Sequence, residues 1–484
     1  MIIFSGSDYA KKVIEEGSNY LVYGDPDIDG MIAAYLVCAY LRKKGITFDY
    51  YINPNRKHGF TLPIDRLRGK TIIAVDFAMS EQEIQDVVDA DNDIVLIDHH
   101  HTDSKSLIKY ENGKRRGIVI NNQYLFEDKA YCFLSGAGVV YYVLGYIDSS
   151  MFSEDNKALV GITLLSDIRE IENEYAHEIL KTTYTVNTPM INRLINITKP
   201  EYSFSFGAIR MDRQYIDFTF SPRFNALFRA NKGFEAFEYM LGKPLDRSFI
   251  EECKSFQNKM VDYIICNLKG VEYSDLICKY IEHRDMVDII KELNLNPMFS
   301  DALLSNYIGL VASRIKGKKS SMVYIKNGDD IERGSFRGSG DHDYLHLFRD
   351  LGGVADGHKN AFGFHCMLST SFEEFNEILH GMSQFEDDIE TRIIEASNLS
   401  TIIHTQNADI ASLNVFRRPS KQVYIKYIGS RSNCSSDVHG KIVEWKIDGV
   451  VVKSFDSDLT PWNSFILPFK DKGYTVFYLR KEIN

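Results

Sequence analysis

Ile94-Val95-Leu96-Ile97-Asp98-His99-His100 is an apolar run of strand length that stops at a carboxylate and two imidazoles. An uninterrupted run of this kind reads as a strand buried on both faces, which is the habit of parallel sheets. Open parallel sheets bind their ligands beyond the carboxyl ends of the strands. The same design recurs on either side. Tyr20–Tyr23 runs into Asp25-Pro26-Asp27-Ile28-Asp29-Gly30, and Thr71–Val75 stops at Asp76. Three strands ending in metal-type ligands, with Asp167 further along, predict an open catalytic metal site and a metallo-phosphoesterase.

The surrounding pattern supports that fold. Further strands are expected at Phe48–Ile52, Asp93–Ile97 and Gly117–Ile120, alternating with helices at Met31–Lys44, Glu81–Val88, Ala137–Leu144 and Lys157–Leu165. Such alternation gives a parallel α/β domain over residues 1–180 with helices on both faces. Residues 181–270 read as a helical connector that includes a long bridging helix, Phe249–Leu268. A smaller α/β domain follows over 271–390, with strands near Leu276–Ile281, Ile308–Val311 and Met322–Ile325. Residues 405–484 change character. Gln422–Ile428, Lys441–Ile447, Gly449–Phe455 and Tyr474–Leu479 read as short strands of a small C-terminal β domain.

Composition excludes several classes. The 484 residues are 44% hydrophobic and 25% charged, ordinary for a globular chain of several domains. No apolar run approaches the ~20 residues of a membrane span, and no basic-then-apolar leader opens the chain. Seven cysteines, an odd number without a CxxC pair, argue against a disulfide framework and a zinc-thiolate site, so a reduced, cytoplasmic protein is expected. A net charge of −11 does not advertise a nucleic-acid binder, although a basic groove can be local. Arg314-Ile315-Lys316-Gly317-Lys318-Lys319 and Arg417-Arg418-Pro419-Ser420-Lys421 are basic stretches for which a solvated surface is an equal explanation.

Asp25, Asp27 and Asp29 alternate, so at a strand end their carboxylates can converge. The same spacing opens an EF-hand loop, but the obligatory glutamate of that loop falls on Leu36 and a strand replaces the entering helix. Asp76 is placed to bridge two ions, with His99 and His100 adding imidazoles and Asp167 a further carboxylate. Oxygen and imidazole donors suit Mn²⁺ or Mg²⁺ rather than a thiophilic ion. Two ions about 3.5–4 Å apart can activate a water and stabilise the leaving oxygen of a phosphodiester. A single aspartate is more often a helix cap or turn former. Four such clusters in one sheet outweigh that explanation.

These residues together resemble the DHH phosphoesterases, named for the motif that stands here as Asp98-His99-His100, and within them the RecJ-type single-strand exonucleases. Leu134-Ser135-Gly136-Ala137-Gly138-Val139, leading to Asp167, adds to the likeness. Pro54-Asn55-Arg56-Lys57-His58-Gly59-Phe60 is similar to the RecJ proline-arginine-glycine-aromatic loop, and Ser221-Pro222-Arg223-Phe224-Asn225-Ala226 to its Pro-Arg-x-Asn-Ala segment. The second α/β unit resembles the associated DHHA1 domain through Val311-Ala312-Ser313-Arg314, Gly334-Ser335-Phe336-Arg337-Gly338 and Gly357-His358-Lys359-Asn360-Ala361-Phe362-Gly363. Phe336, Gly338 and Asp356 depart from the family's pattern, the last by adding a carboxylate beside a phosphate-binding histidine. The likeness spans roughly residues 20–370. The C-terminal domain stands where RecJ proteins carry an OB-type module, and an unrelated β module fits it equally.

The resemblance implies that one ion takes Asp25, Asp27 and Asp76, and a second Asp29, Asp76, His99 and Asp167. Asp98 would orient His99, and His100 would face the scissile phosphate. Arg56, Arg223, Asn225, Arg337 and His358 would hold substrate, while His101 would be a surface residue. The implied activity is Mn²⁺- or Mg²⁺-dependent 5′→3′ degradation of single-stranded DNA. Implied partners are single-stranded DNA, or RNA or short oligonucleotides in its place, with a single-strand-binding protein or helicase nearby and no membrane. Two alternatives keep the fold. One is a small-substrate phosphodiesterase acting on oligoribonucleotides, phosphoadenosine phosphate or cyclic dinucleotides. The other is an inactive scaffold.

Overall fold

The structure is a computed structural model that describes residues 2–56, 59–102, 104–167, 173–199, 210–339, 342–365, 368–383, 390–396, 421–427, 434–439, 442–447, 450–454, 460–462, 465–471 and 474–480. They fall into two compact units, residues 1–380 and 381–484.

The first unit opens with α1 (Ser7–Glu16) and a six-stranded sheet built from β1 (Tyr20–Gly24), β2 (Phe48–Ile52), β3 (Thr71–Val75), β4 (Asp93–Asp98), β5 (Lys109–Glu111) and β6 (Arg116–Asn121), in the order β2-β1-β3-β4-β6-β5. All neighbours run parallel except β5, an antiparallel edge strand. Strands β1, β3 and β4 are buried along their whole length, as their continuous apolar runs require. Flanking them are α2 (Ile28–Lys43), α3 (Glu81–Asp89), α4 (Gly136–Ile147) and α5 (Glu154–Ser166). α3 begins with a complete capping box, Ser80 with Glu83. Fully parallel pairing places Asp25, Asp76, Asp98 and Asn121 at the same edge of the sheet.

A helical stretch follows: α6 (Glu174–Thr185), α7 (Pro189–Thr198), the short turn α8 (Arg213–Tyr215), α9 (Ser221–Arg229), α10 (Gly233–Met240) and the twenty-residue α11 (Arg247–Cys266). Between α8 and α9 the chain makes a π-helical turn, Ile216–Phe220, a deviation often found at functional sites.

A second six-stranded sheet comprises β7 (Lys269–Glu272), β8 (Leu276–Glu282), β9 (Ser320–Asn327), β10 (Asp330–Arg337), β11 (Ala355–His358) and β12 (Ala361–Phe364), ordered β11-β12-β10-β9-β8-β7. Only β8 and β9 run parallel. α12 (Met286–Glu292) and α13 (Ser305–Ile315) lie between them in sequence. The stretch Ile308–Val311, expected as a strand, is part of α13. Its buried positions Tyr307, Ile308, Val311 and Ala312 follow helical spacing, which a four-residue window cannot distinguish from a strand.

The second unit is one seven-stranded sheet of β13 (Glu390–Ala396), β14 (Lys421–Tyr427), β15 (Cys434–His439), β16 (Ile442–Ile447), β17 (Val450–Ser454), β18 (Phe465–Asp471) and β19 (Tyr474–Arg480). Its order, β13-β14-β18-β19-β17-β16-β15, leaves β13 and β15 as edges, so the described strands form an open, mixed sheet rather than a closed OB barrel. β13 precedes the 405 boundary expected for this β module. Among the described residues no helix is long and apolar enough to cross a membrane.

Candidate metal centre

The Asp25-Pro26-Asp27-Ile28-Asp29 carboxylates converge, but not through strand alternation. Asp25 follows β1, Asp27 caps α2 by accepting the Gly30 N–H at 3.0 Å, and Asp29 lies in the first helical turn. The strand-to-helix corner gathers them. Asp29 is held by the start of α4, whose Gly136 and Ala137 N–H groups donate to its two oxygens at 2.7 and 3.0 Å. Unpaired N–H groups at a helix N-terminus favour an anion. Ser135 Oγ bonds Thr163 Oγ1 at 2.7 Å, tying that N-terminus to α5, which ends at Asp167.

Asp76 sits just past β3 with φ +69°, a left-handed conformation a non-glycine residue adopts at some cost. Its N–H donates to the Ile97 carbonyl at 2.9 Å, which fixes the corner. Asp76 Oδ1 is buried, makes no hydrogen bond, and faces His99 Nε2 at 3.1 Å. Carboxylates flank both ring nitrogens of His99, with Asp29 Oδ2 3.7 Å from Nε2 and Asp167 Oδ2 3.9 Å from Nδ1. Three trios bring their donor atoms within 4.8 Å of one another: Asp25, Asp27 and Asp76; Asp29, His99 and Asp167; Asp76, His99 and His100.

This crowding is electrostatically unfavourable without a cation. Burial, then the charges of Asp29, Asp27, Asp25 and Asp167, hold the Asp76 carboxyl well above its ordinary range. Burial and the Asp167 and Asp27 charges raise Asp29 to about 7 despite its two N–H donors. Burial and Asp25 raise Asp27, against the opposing charge of Arg56. An oxygen-rich donor set with an unsatisfied buried carboxylate oxygen fits one or two hard divalent cations.

Asp98 behaves differently from expectation. Its Oδ1 pairs with His100 Nδ1 at 2.7 Å, so the carboxylate orients His100 rather than the His99 ring. Burial raises Asp98, but His100 overcomes that and leaves the carboxyl below its ordinary range. Conversely, burial lowers His100, and the charge and hydrogen bond of Asp98 outweigh it, carrying the imidazole to about 9. His101 is exposed.

The expected substrate residues separate into two groups. His358 lies beside the carboxylate cluster. Its Nε2 is 3.7 Å from Asp167 Oδ1, and its ring lies parallel to His100 with centroids 6.3 Å apart. Arg56, at φ +50°, sits on a loop buttoned at its base by Tyr23, Asn53 and Thr61, with Asn53 Nδ2 donating to the Gly59 carbonyl at 2.7 Å. Lys57 and His58 of that loop lie outside the described residues. Arg337 Nη1 donates to Ser335 Oγ at 2.8 Å and to the Phe336 carbonyl at 2.6 Å. A Cβ at Gly309 of α13 would stand 2.7 Å from Arg337 Nη2, so the helix packs directly on the guanidinium.

Arg223 is not part of that group. Its Nε donates to Glu251 at 2.7 Å, a structural ion pair on α11. Asn225 is half-buried on α9, and four residues on, along the same helical face, stands Arg229. The sequence reading missed Arg229. Its Nη1 donates to Gln257 at 3.0 Å, and its carbonyl accepts from Tyr307 Oη and Asn306 Nδ2, both at 3.0 Å. Burial, then the charges of Arg56 and Arg337, pull its guanidinium well below its usual value. Arg333, also missed, is lowered by burial and by Arg56, and Arg337 falls to about 10 for the same reasons. Mutually repelling, desolvated guanidinium groups mark a site built for an anion. The i, i+4 spacing of Asn225 and Arg229, and the alternation Arg333-Ser335-Arg337 on one strand, were the available signals.

Of the two basic stretches, Arg314 pairs with Asp262 at 2.8 Å and Lys319 with Glu272 at 2.9 Å, a solvated surface. Residues 417–420 and the Asp356 side chain lie outside the described residues.

Residues 19–166 match the family model described as DHH family, N-terminal domain. No curated protein matches the chain in sequence. Among solved structures, the chain is similar to RecJ in complex with Mn²⁺ from Thermus thermophilus, at 16% identity and a TM-score of 0.68, covering 100% of this chain and 72% of that one. RecJ in complex with Mg²⁺ from the same organism matches at 14% identity and a TM-score of 0.59, over 99% and 70% of the two chains. An exonuclease RecJ bound to manganese matches at 16% identity and a TM-score of 0.54, over 80% and 96%. At these identities the likeness is one of fold. Residues 19–166, which hold the aspartate-rich corner and the Asp98-His99-His100 strand end, thus match the DHH family's N-terminal domain, and the chain is similar in fold to RecJ.

Proposed function

We propose that the protein is a metal-dependent phosphodiesterase that degrades single-stranded DNA from the 5′ end. The observation that carries this reading is the convergence of Asp25, Asp27, Asp29, Asp76, His99 and Asp167 at one sheet edge, with their donor atoms in trios within 4.8 Å. Asp25, Asp27 and Asp76 would hold one Mn²⁺ or Mg²⁺, and Asp29, Asp76, His99 and Asp167 the other. When bound, such ions supply a nucleophilic water and neutralise charge at the leaving oxygen. The similarity to RecJ structures holding Mn²⁺ and Mg²⁺ supports that choice.

The chain's own residues supply the rest. With Nδ1 engaged by Asp98, His100 has Nε2 left to donate to a non-bridging phosphate oxygen. His358, parallel to His100, would contact the same phosphate rather than a remote one. Arg56 acts electrostatically on Asp27 and on each of Arg229, Arg333 and Arg337, so these arginines would suit a phosphate neighbouring the reacting one. A scaffold has no need of repelling carboxylates beside repelling guanidinium groups.

The test is hydrolysis of strands labelled at either end, as DNA and as RNA, with Mn²⁺ or EDTA and with dinucleotides alongside. We expect loss of 5′-labelled nucleotide from single-stranded DNA, strong salt dependence from phosphate contacts, little attack on blunt duplex and none with EDTA. Equal rates on duplex and single strand, or 3′ label released first, would refute it. Faster turnover of dinucleotides than of long strands would favour the small-substrate alternative.

The arginines make a second expectation. Arg229→Ala and Arg337→Ala should each lower kcat/KM on long strands by about tenfold to hundredfold, as loss of a charge-assisted bond of roughly 1.5–3 kcal/mol implies. Arg223→Ala, whose guanidinium is already bonded to Glu251, should cost less than about threefold. Kinetics on a ladder of substrate lengths checks both, since a dinucleotide with fewer phosphates should suffer less.

A further inference from the structure

Asn121 ends β6 in register with Asp98 on β4, and its buried side chain is fully engaged. Nδ2 donates to Asp98 Oδ2 at 3.2 Å and to the His100 carbonyl at 2.9 Å, while Oδ1 accepts the Gln123 N–H at 2.7 Å. We propose that Asn121 is a positioning residue that fixes the direction of the His100 imidazole through Asp98. The functional consequence rests on the phosphodiesterase reading above.

The geometry gives two anchors for one ring. A carboxylate bonded only through Oδ1 to His100 can still turn about its Cβ–Cγ bond, carrying the imidazole with it. A donor on Oδ2 stops that rotation. The second proton of the same amide holds the backbone carbonyl from which the ring hangs. With the plane of Asp98 fixed, Nδ1 stays on the carboxylate and Nε2 is presented at a constant angle. An amide is the group this position requires. Leucine offers no donor, and an aspartate would set a second anion against Asp98.

The competing explanation is that Asn121 merely forms a turn, since its Oδ1 bond to the N–H two residues on is a common Asx arrangement. Asn121→Ser separates the two. Serine keeps an acceptor for a turn of that type but is too short to reach Asp98 Oδ2. We expect Asn121→Ser to lower kcat on single-stranded DNA about tenfold with KM within about twofold. In a His100→Ala background the same change should alter kcat less than twofold. Nitrogen-15 NMR of histidine-labelled protein gives a readout independent of turnover. The His100 signal, assigned by its absence in His100→Ala, should show one bonded, slowly exchanging Nδ1–H in the parent and a broadened, exchange-averaged one in Asn121→Ser. Equal losses of kcat in both backgrounds, or an unchanged Nδ1–H signal, would overturn the inference. If Asn121→Ser fails to fold, Asn121→Asp keeps the turn acceptor and is judged by the same spectrum. A parent protein that cleaves no strand would sink the functional reading alone, with the Nδ1–H signal still deciding the role of Asn121.

Discussion

Asp76→Asn is expected to lower kcat by about a thousandfold or more, equivalent to about 4 kcal/mol of transition-state stabilisation, in a protein that remains folded. Asparagine tolerates the left-handed backbone at this position, so the change removes charge without new strain. Asp76 is the residue shared by both proposed ligand sets. Its stability effect should run the other way. In the metal-free protein the folded-state carboxyl lies well above its ordinary value, through burial and the charges of Asp29, Asp27, Asp25 and Asp167. The folded state therefore binds the proton more tightly than the unfolded chain. Its contribution is present below the ordinary carboxylate range and is lost as pH rises toward the raised value. The Tm of Asp76→Asn should accordingly exceed that of the metal-free parent by a margin that grows from pH 4 to 7. Mn²⁺ should raise the parent Tm at pH 7 and leave Asp76→Asn nearly unmoved. Thermal melts with and without Mn²⁺ at three pH values check this. A parent Tm indifferent to Mn²⁺ would remove the metal centre from the account.

The catalytic sheet was legible because burial on both faces leaves an unmistakable trace. Ile72–Val75 and Ile94–Ile97 have nothing polar to confuse their period, and each run leads into a chemically distinctive residue. Where side chains meet across elements, sequence order says little. The pairing of Asp98 with His100 instead of His99 depends on how the chain turns after β4, and the ion pair of Arg223 with Glu251 joins helices 28 residues apart. Arg229 and Arg333 carry no motif, and their meaning comes from each being desolvated and feeling the charge of Arg56. Ile308–Val311 shows the opposite failure, a short apolar run whose helical period needed Ala312 and Tyr307 to emerge. β13, Glu390-Thr391-Arg392-Ile393-Ile394-Glu395-Ala396, was invisible for another reason, since its two isoleucines are adjacent and show no strand alternation.

Gly136→Ala should cost about a hundredfold or more in kcat and lower stability as well. Glycine to alanine in a helix ordinarily stabilises a protein slightly. Gly136 opens α4, but a Cβ there would stand 2.3 Å from Asp76 Oδ1, 2.8 Å from its Cγ and 2.9 Å from its Cβ. Those distances are far inside van der Waals contact, so the Asp76 side chain must swing away from His99 and from the Asp25–Asp27 pair. Misplacing a reacting group by about 1 Å is enough for a hundredfold loss. The backbone bond from Gly136 N–H to Asp29 Oδ2, 2.7 Å long, needs no glycine and should survive the change. The clash thus acts on Asp76 alone, and the double variant Gly136→Ala, Asp76→Asn should be scarcely slower than Asp76→Asn by itself. Kinetics of the two single variants and the double, with Mn²⁺ titrated into each, make the comparison. Additive losses would instead mean that the methyl group displaces the start of α4 and acts through Asp29.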